Sequence, residues 1–119
     1  MVIERTQTTR YEMLPEGHYQ FTIVAKPEKF KAGKTHYRRW QFAYITDDNQ
    51  VKKTSFIIFP WESEELLLAV GGIKQQDGSV EWDDEKVEQR RIDTDVVHEE
   101  DNTGKTRAKL RNTTETMPF

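Results

Sequence analysis

The most informative pattern in the chain is an alternation of apolar and polar residues with a period of two, which is typical of β-strands. Around Phe21, for example, Tyr19 and Ile23 fall on one face of a strand while Gln20 and Thr22 fall on the other. The alternation predicts five strands, at about 17–25, 35–46, 51–59, 90–99 and 105–112. The chain is therefore expected to be mainly β.

One segment between these strands departs from the period of two and predicts a helix. Residues 62–70 are rich in Glu, Leu and Ala, which are good helix formers. Ser63 is the candidate N-cap, and Gly71 with Gly72 ends the segment. The resulting order, β-β-β-α-β-β, is that of an OB-fold, a five-stranded small barrel that binds oligonucleotides. We expect an all-β domain with one helix over residues 1–112, followed by a flexible tail at 113–119.

Aromatic residues on one face of the second strand are the expected centre of the core. Trp40, Phe42 and Tyr44 recur with a period of two and could instead form an exposed platform for bases. Because hydrophobic residues make up only 34% of the chain, we assign these three rings to the core. Residues 56–59 are assigned to the core as well. Trp61 is expected to pack where the helix begins, with a position at the rim of the barrel as the alternative.

Composition narrows the class of protein. The chain has no cysteine, which is typical of proteins of a reducing cytosol. No apolar run approaches the roughly 20 residues of a membrane-spanning helix, and the first ten residues lack the apolar stretch of a secretory signal. We therefore expect a soluble cytoplasmic protein that does not associate with membranes.

Positive charge is concentrated in two segments, although the chain carries a formal net charge of −3. Residues 26–39 contain six cations and one acid, and residues 104–112 contain four cations and no acid. The rest of the chain therefore carries a net charge of −12. Because local potential governs binding to a polyanion, this distribution indicates a basic site on an acidic body.

The first basic segment, which reads as a long loop with its tip at Gly33, combines the side chains that single-stranded nucleic acid requires. Cations neutralise phosphates, and exposed aromatic rings stack on bases. Phe30 is informative, because an aromatic residue in a lysine-rich loop has little core to join unless it folds back to plug the barrel end. The candidate DNA-binding residues of this region and of the neighbouring strand are Lys29, Phe30, Lys31, Lys34, Tyr37, Arg38, Arg39 and Lys53.

The second basic segment has a cation at every second position from Lys105 to Arg111. In a strand these cations share one face and could follow a phosphate backbone. A hairpin with a five-residue loop offers a competing structural role, because it would pair three cations with acids: Glu99 with Lys105, Asp95 with Lys109 and Asp93 with Arg111. Arg107 alone would lack an acid. We assign Lys105 and Arg107, nearest the loop, to the DNA-binding site, and Lys109 with Arg111 to the fold.

Three stretches of the chain resemble the single-stranded DNA-binding proteins of phages, in particular those of lactococcal phages: residues 14–21 (LPEGHYQF), 37–42 (YRRWQF) and 97–107 (VHEEDNTGKTR). The resemblance implies an OB-type fold and sequence-tolerant binding of single-stranded DNA in phage replication or recombination, in the host-cell cytoplasm. Residues 117–119 (MPF) are similar to the tip with which bacterial proteins of this function recruit partners, although only Glu115 precedes it where an acidic run is typical. Host or phage recombination and replication proteins are therefore candidate partners, and a homodimer remains open.

The sequence offers little for catalysis. His18, His36 and His98 lie far apart without the spacing of metal ligands, and the chain has neither a Gly-rich phosphate loop nor a thiol. The acids at 83–85 are expected in a solvated loop. We therefore expect that the protein is not an enzyme and that it binds no cofactor or metal ion.

Two alternatives to DNA binding stay open: a protein-protein interaction module of a phage replisome or virion, and an RNA-binding protein of the cold-shock type.

Overall fold

The computed structural model describes residues 13–101 and 103–116 and consists mainly of antiparallel β-structure. A six-residue helix, α1 (Glu64–Ala69), follows a 3-10 turn at Pro60–Glu62. The prediction of an all-β fold with one helix is confirmed. Within the described ranges the strands are β1 (Gly17–Ile23), β2 (Glu28–Ala32), β3 (Thr35–Ile45), β4 (Val51–Ile58), β5 (Ile73–Lys74), β6 (Val80–Glu81), β7 (Arg91–Glu100) and β8 (Thr106–Glu115).

Six of these strands form one sheet that is not closed into a barrel. The long strand β3 pairs with β4 along one edge and with both β2 and β1 along the other, and β7 and β8 continue the sheet beyond β1. This order leaves β4 and β8 at the two ends. Instead of a ladder between them, the Arg107 Nη2 group on β8 donates to the Ile57 carbonyl on β4 at 3.2 Å. The expected five-stranded barrel is therefore open between these two strands.

The core lies on one face of the sheet, as the alternating pattern predicts. Phe21 on β1 and Phe42 on β3 are fully buried, and their rings stack with centroids 4.9 Å apart. Trp40 is 1% exposed and lies on the same face of β3 as Phe42. Leu66 and Leu67 of α1 complete this cluster. Tyr44, the third aromatic residue assigned to the core, is partly buried against it.

Only two of residues 56–59 belong to the core, although all four are expected there from their composition. Phe56 and Ile58 are each 7% exposed, whereas Ile57 is 46% exposed and Phe59 is partly buried. The reason is the strand geometry, because successive side chains point to opposite faces even in a continuous apolar run.

The basic segment expected as a long loop is instead a regular hairpin. Strands β2 and β3 pair from Glu28 with Arg39 to Ala32 with Thr35, so Gly33 and Lys34 form a two-residue turn. Gly33 has a φ of 63°, and a glycine with positive φ at the first turn position is typical of a type II′ hairpin. Phe30 lies in the middle of β2, so it does not fold back to plug the end of the sheet.

The second hairpin has the expected five-residue loop, but one residue later in the chain. Glu100 pairs with Thr106, so the loop comprises residues 101–105. The acids and cations of β7 and β8 are therefore paired differently from the expectation: Glu99 is opposite Arg107, Val97 opposite Lys109 and Asp95 opposite Arg111. The aspartate Asp101 fixes this loop, because its carboxylate accepts hydrogen bonds from the backbone of Thr103 and Lys105 at 2.8 and 3.0 Å.

Strand β8 extends three residues beyond the domain boundary expected at residue 112. Thr113 is 7% exposed, and its hydroxyl lies 2.7 Å from that of Thr94 on β7. Residues 113–115 therefore belong to the sheet rather than to a tail. The MPF sequence at 117–119 lies outside the described residues.

The helix is shorter than the predicted segment 62–70. The Ser63 hydroxyl donates to the Pro60 carbonyl at 2.8 Å instead of capping α1. After the helix, Gly72 passes so close to the backbone that a Cβ atom there would lie 2.6 Å from the Leu67 carbonyl oxygen.

Among the described residues, no helix is long and apolar enough to cross a membrane.

Candidate nucleic-acid interface

The pairing of β2 with β3 brings two predicted site residues together on one face of the hairpin. Phe30 is directly opposite Tyr37, and their rings stack with centroids 5.5 Å apart and planes 15° apart. The Arg39 guanidinium lies over the Phe30 ring at 5.2 Å. Arg39 also donates from Nε to the Glu28 carboxylate at 3.1 Å, so its charge is partly neutralised.

Two further rings extend this pair into a continuous row. Phe59, at the end of β4, contacts Tyr37 with a centroid distance of 5.5 Å. Trp61 lies flat on Phe59, with centroids 4.8 Å apart and planes 4° apart. Exposure is greatest at the two ends, 37% for Phe30 and 71% for Trp61. We call Phe30, Tyr37, Phe59 and Trp61 the aromatic row.

Arg107 connects the second basic segment to the aromatic row. Its guanidinium lies over Phe59 at 5.0 Å from the ring centroid. It also lies 3.3 Å from the Glu62 carboxylate, which is only 10% exposed. The expectation that Arg107 lacks an acid is therefore wrong, because the acid comes from the 3-10 turn and not from β7. The two basic segments nevertheless meet on one side of the molecule.

A groove of about 310 Å³ lies where the sheet is open between β4 and β8. Arg39, Ile57 and Arg107 are among the residues that line it, together with Thr54, Ser55 and Thr106. Arg39 and Arg107 also cover rings of the aromatic row. The groove and the row therefore form one surface with apolar rings, hydroxyl groups and cations.

The predicted lysines are exposed but are not all on this surface. Because side chains alternate along β2, Lys29 and Lys31 lie on the face of the hairpin opposite to Phe30. Lys53 is opposite Ala43 and shares the outer face of β3 and β4 with Arg39. In the part of the chain that the structure describes, these lysines and Lys34 and Lys105 form no ion pair. Their charges remain available to an anionic ligand.

Lys109 and Arg111 are engaged within the fold. Lys109 Nζ lies 3.5 Å from Glu62 and 3.7 Å from Glu99, and Arg111 Nε donates to Glu99 at 2.9 Å. The hydrogen bond from Arg111, and then the charges of both cations, hold the pKa of Glu99 below its usual range. These contacts agree with the structural role expected for the two cations.

A second pocket, of about 230 Å³, lies on the other face of the basic hairpin. Arg38 stacks over Trp82 at 4.8 Å from the ring centroid, and Trp82 in turn stacks on the buried Trp40 at 5.6 Å. The Arg38 Nε atom is buried and has no hydrogen-bond partner within the described residues. Lys29 and His36 also line this pocket.

Sequence reasoning missed Phe59, Trp61 and Trp82 as parts of these surfaces. A strict reading of the period of two from Phe56 would have placed Ile57 and Phe59 on the outer face beside Tyr37 and Arg39. Trp61 and Trp82 lie outside the main sheet strands, where no period indicates which way a side chain points.

Within the described ranges, no group of His, Cys, Asp and Glu side chains is arranged to hold a metal ion. A scan against models of known protein families gives no matching family, and a search of curated proteins gives no relative.

Proposed function

We propose that the protein binds single-stranded DNA with little sequence preference, through the aromatic row and the adjoining groove. The observation that supports this most strongly is the row itself. Four rings contact one another in sequence at 4.8–5.5 Å, and Trp61 is 71% exposed although hydrophobic residues make up only 34% of the chain. Rings that are ordered but not buried are what base stacking requires.

The chemistry favours unpaired bases over a duplex. Stacking of a base on an aromatic side chain is worth about 1–3 kcal/mol and tolerates any base, because every base has a π-face. Bases in a duplex already stack on their neighbours and present only their edges to a protein. A surface built from ring faces therefore selects single strands without reading their sequence.

Cations around the row supply the phosphate contacts. Lys34 at the hairpin tip and Lys53 on the outer face of β4 are exposed and form no ion pair within the described residues, whereas Arg39 and Arg107 share their charge with Glu28 and Glu62. If about four phosphates are neutralised, affinity falls about 50-fold between 50 and 200 mM salt. The acidic remainder of the molecule does not prevent binding, because local potential decides it.

The test is a binding assay with a fluorescent oligo-dT of about 15 nucleotides, a length within the site sizes of OB-folds. Unlabelled single-stranded DNA, duplex DNA of the same length and RNA are added as competitors. We expect the DNA single strand to compete fully and the duplex weakly. Equal competition by duplex, or an affinity that does not change with salt, would contradict the proposal. Stronger competition by RNA would favour the alternative of an RNA-binding protein.

We place this activity in phage DNA replication or recombination, because the resemblant stretches at 14–21, 37–42 and 97–107 include Tyr37, Arg39 and Arg107 of the proposed surface.

The alternative role, as a protein-protein interaction module, is supported by one separate observation. Ile45 and Val51 are paired across β3 and β4 and are 68% and 67% exposed. Sedimentation of Ile45→Glu beside the unmodified protein tests whether this pair joins two copies.

A further inference from the structure

The pocket on the other face of the basic hairpin, which we call the Arg38 pocket, has a composition that differs from the aromatic row. Its walls include three side chains that carry or can carry positive charge: Lys29, His36 and Arg38. No acid is among its lining residues within the described chain, which are otherwise Tyr37, Trp40, Ile58, Pro60, Ser63, Leu67 and Trp82. The positive charge of the pocket is therefore not balanced by an acid among its lining residues.

Arg38 differs in this respect from the other arginines near the interface. Arg39, Arg107 and Arg111 each lie within 3.3 Å of a carboxylate. Arg38 has no ion pair within the described residues, and its Nε group is buried without an acceptor. The side chain as a whole is partly exposed and lines the pocket, so an anionic ligand there would stabilise the charge of the guanidinium, which no acid balances.

Within the described residues, Arg38 is held by ring contact and not by a side-chain hydrogen bond. Its guanidinium lies on Trp82, and Trp82 lies on Trp40, which is anchored in the core at 1% exposure. A planar guanidinium held by stacking presents its N–H groups in a fixed fork, which matches two oxygens of a phosphate group. Less side-chain entropy is then lost when the ligand binds.

We propose that the Arg38 pocket binds the phosphate group of a nucleotide, with Arg38 as the main contact and Lys29 and His36 beside it. The inference rests on the proposed function, because a nucleic-acid ligand brings phosphates to this part of the surface. Tyr37 joins the two sites, since it belongs to the aromatic row and also lines the pocket. Pro60 of the pocket directly precedes Trp61 of the row. The phosphate can belong to the bound strand or to a free nucleotide.

The test uses the indole N–H signals of the full ¹⁵N-labelled chain. The chain has three tryptophans, so the Trp82 signal is assigned with a Trp82→Phe variant. The protein is titrated separately with dTMP, inorganic phosphate, thymidine and oligo-dT. We expect dTMP and phosphate to shift the Trp82 signal in a saturable way and thymidine, which has no phosphate, to leave it in place.

Two variants assign the effect to the pocket. Arg38→Gln should weaken dTMP binding about tenfold or more, the size expected when a charge-assisted hydrogen bond is lost. Arg91→Gln removes the same charge from an exposed position on β7 and should not change it. If Arg38→Gln fails to fold, Lys29→Gln, at an exposed position, should show a smaller weakening of the same kind.

The possible results separate the two sources of phosphate. A shift of the Trp82 signal by oligo-dT as well as dTMP assigns the pocket to the bound strand, and a shift by dTMP alone assigns it to free or terminal nucleotides. An equal response to thymidine, or unchanged dTMP affinity in Arg38→Gln and Lys29→Gln, would overturn the inference. The proposed function is judged separately, because oligo-dT binding that depends on Trp61 can persist when the pocket shows no phosphate binding.

Discussion

At the scale of single residues, Trp61 shows how a ring can be ordered without being buried. It is 71% exposed, yet it lies flat on Phe59 at 4.8 Å, and Phe59 is itself covered by Arg107 at 5.0 Å. One indole face is thus used for packing on the protein. A base that stacks on the other face would continue the row by one ring.

Trp61→Ala should therefore weaken binding of oligo-dT by about 5- to 150-fold, which corresponds to 1–3 kcal/mol of stacking. The fold should be unaffected, because the ring contributes little to the core. Ile73→Ala is a matched control, since Ile73 is also an exposed apolar residue, at 65%, and lies outside the row. Fluorescence anisotropy measures the affinity and circular dichroism checks the fold. Equal binding by the two variants would remove Trp61 from the interface.

Arg107 has a second role that the sequence does not reveal, because it supports the fold where the sheet is open. It donates to the Ile57 carbonyl at 3.2 Å and to Glu62 at 3.3 Å, and Glu62 is only 10% exposed. Arg107→Ala should lower the free energy of unfolding by about 1–3 kcal/mol, because Glu62 then loses a charged partner. Urea denaturation measures this.

Lys105→Ala serves as the control for Arg107→Ala, because Lys105 is exposed and its side chain has no ion pair within the described residues. It should change stability by less than about 0.5 kcal/mol. Similar stability of both variants would show that the contacts of Arg107 with Ile57 and Glu62 do not support the fold.

Trp40 and Trp61 show when the burial of a tryptophan can be predicted from the sequence. Trp40 lies in a regular alternation with Phe42, so its burial could be predicted, and it is 1% exposed. Trp61 lies in a 3-10 turn, where no repeating pattern indicates the direction of a side chain. Its position is set by its contact with Phe59, which covers one face of the ring and leaves the other exposed.

At the scale of elements, the basic hairpin β2–β3 places its ring pair and the lysines of β2 on opposite faces. Phe30 and Tyr37 lie on one face, and Lys29 and Lys31 lie on the other. Strand β2 is at the edge of the sheet beside β3. A single strand bound on the ring face can therefore also contact cations at the tip and edge of the hairpin.

The double substitution Lys31→Gln with Lys34→Gln should lower the salt dependence of oligo-dT binding by about 1.4 in the slope of log affinity against log salt, if both residues contact phosphate. Phe30→Ala should instead weaken binding by a similar factor at every salt concentration, because stacking is not ionic. The double substitution Lys74→Gln with Lys86→Gln is the matched control, as it removes the same charge elsewhere. A slope that falls equally in both double variants would exclude a specific role for the hairpin tip.

The hairpin β7–β8 links stability to pH. Asn112 and His18 hold the pKa of Asp95 below its usual range through hydrogen bonds, and Arg111 does the same for Glu99. Because these pKa values are lower in the folded state, the ionised carboxylates stabilise the fold at neutral pH. That contribution is lost as pH falls below about 4, the ordinary range of carboxyl groups, and through the lower folded values.

Glu99→Gln should therefore have a lower melting temperature than the unmodified protein at pH 7, with a difference that shrinks as the pH is lowered toward 3. The reason is that protonation removes the same charge from Glu99 that the substitution removes. Thermal denaturation at several pH values measures the difference. A difference that stays constant over this range would show that the charge of Glu99 does not stabilise the hairpin.

The sequence predicts regular core strands better than edge strands and loop registers. Strands β1 and β3 are predicted because Phe21, Trp40 and Phe42 alternate with polar residues and are buried. Strand β2 has only Phe30 as a large apolar residue, and none of its residues with described side chains belongs to the core cluster, so its composition resembles a loop. Charge pairing predicts the wrong β7–β8 register, because the expected alignment pairs three acids with cations and the observed alignment pairs only two. The turn made by Asp101 fixes the observed register.

At the scale of the whole molecule, the fold brings together two basic segments that are distant in the sequence. Arg39 and Arg107 line one groove, although 68 positions separate them in the chain. The concentration of cations in residues 26–39 and 104–112 indicates a basic site, but it does not show which side chains meet there. The opening of the sheet and the acid beside Arg107 could not be predicted, because they depend on how β4 and β8 approach each other and on the 3-10 turn that carries Glu62.

The most direct test of the central claim, that the aromatic row stacks on unpaired bases, is the tryptophan fluorescence of the unmodified protein and of Trp61→Phe during titration with oligo-dT. A stacked base quenches the indole beneath it, while phenylalanine at the same position still offers a ring for stacking. We predict saturable quenching in the unmodified protein and its loss in Trp61→Phe, although anisotropy shows that the variant still binds. Binding without quenching in the unmodified protein, or equal quenching in both proteins, would contradict the account.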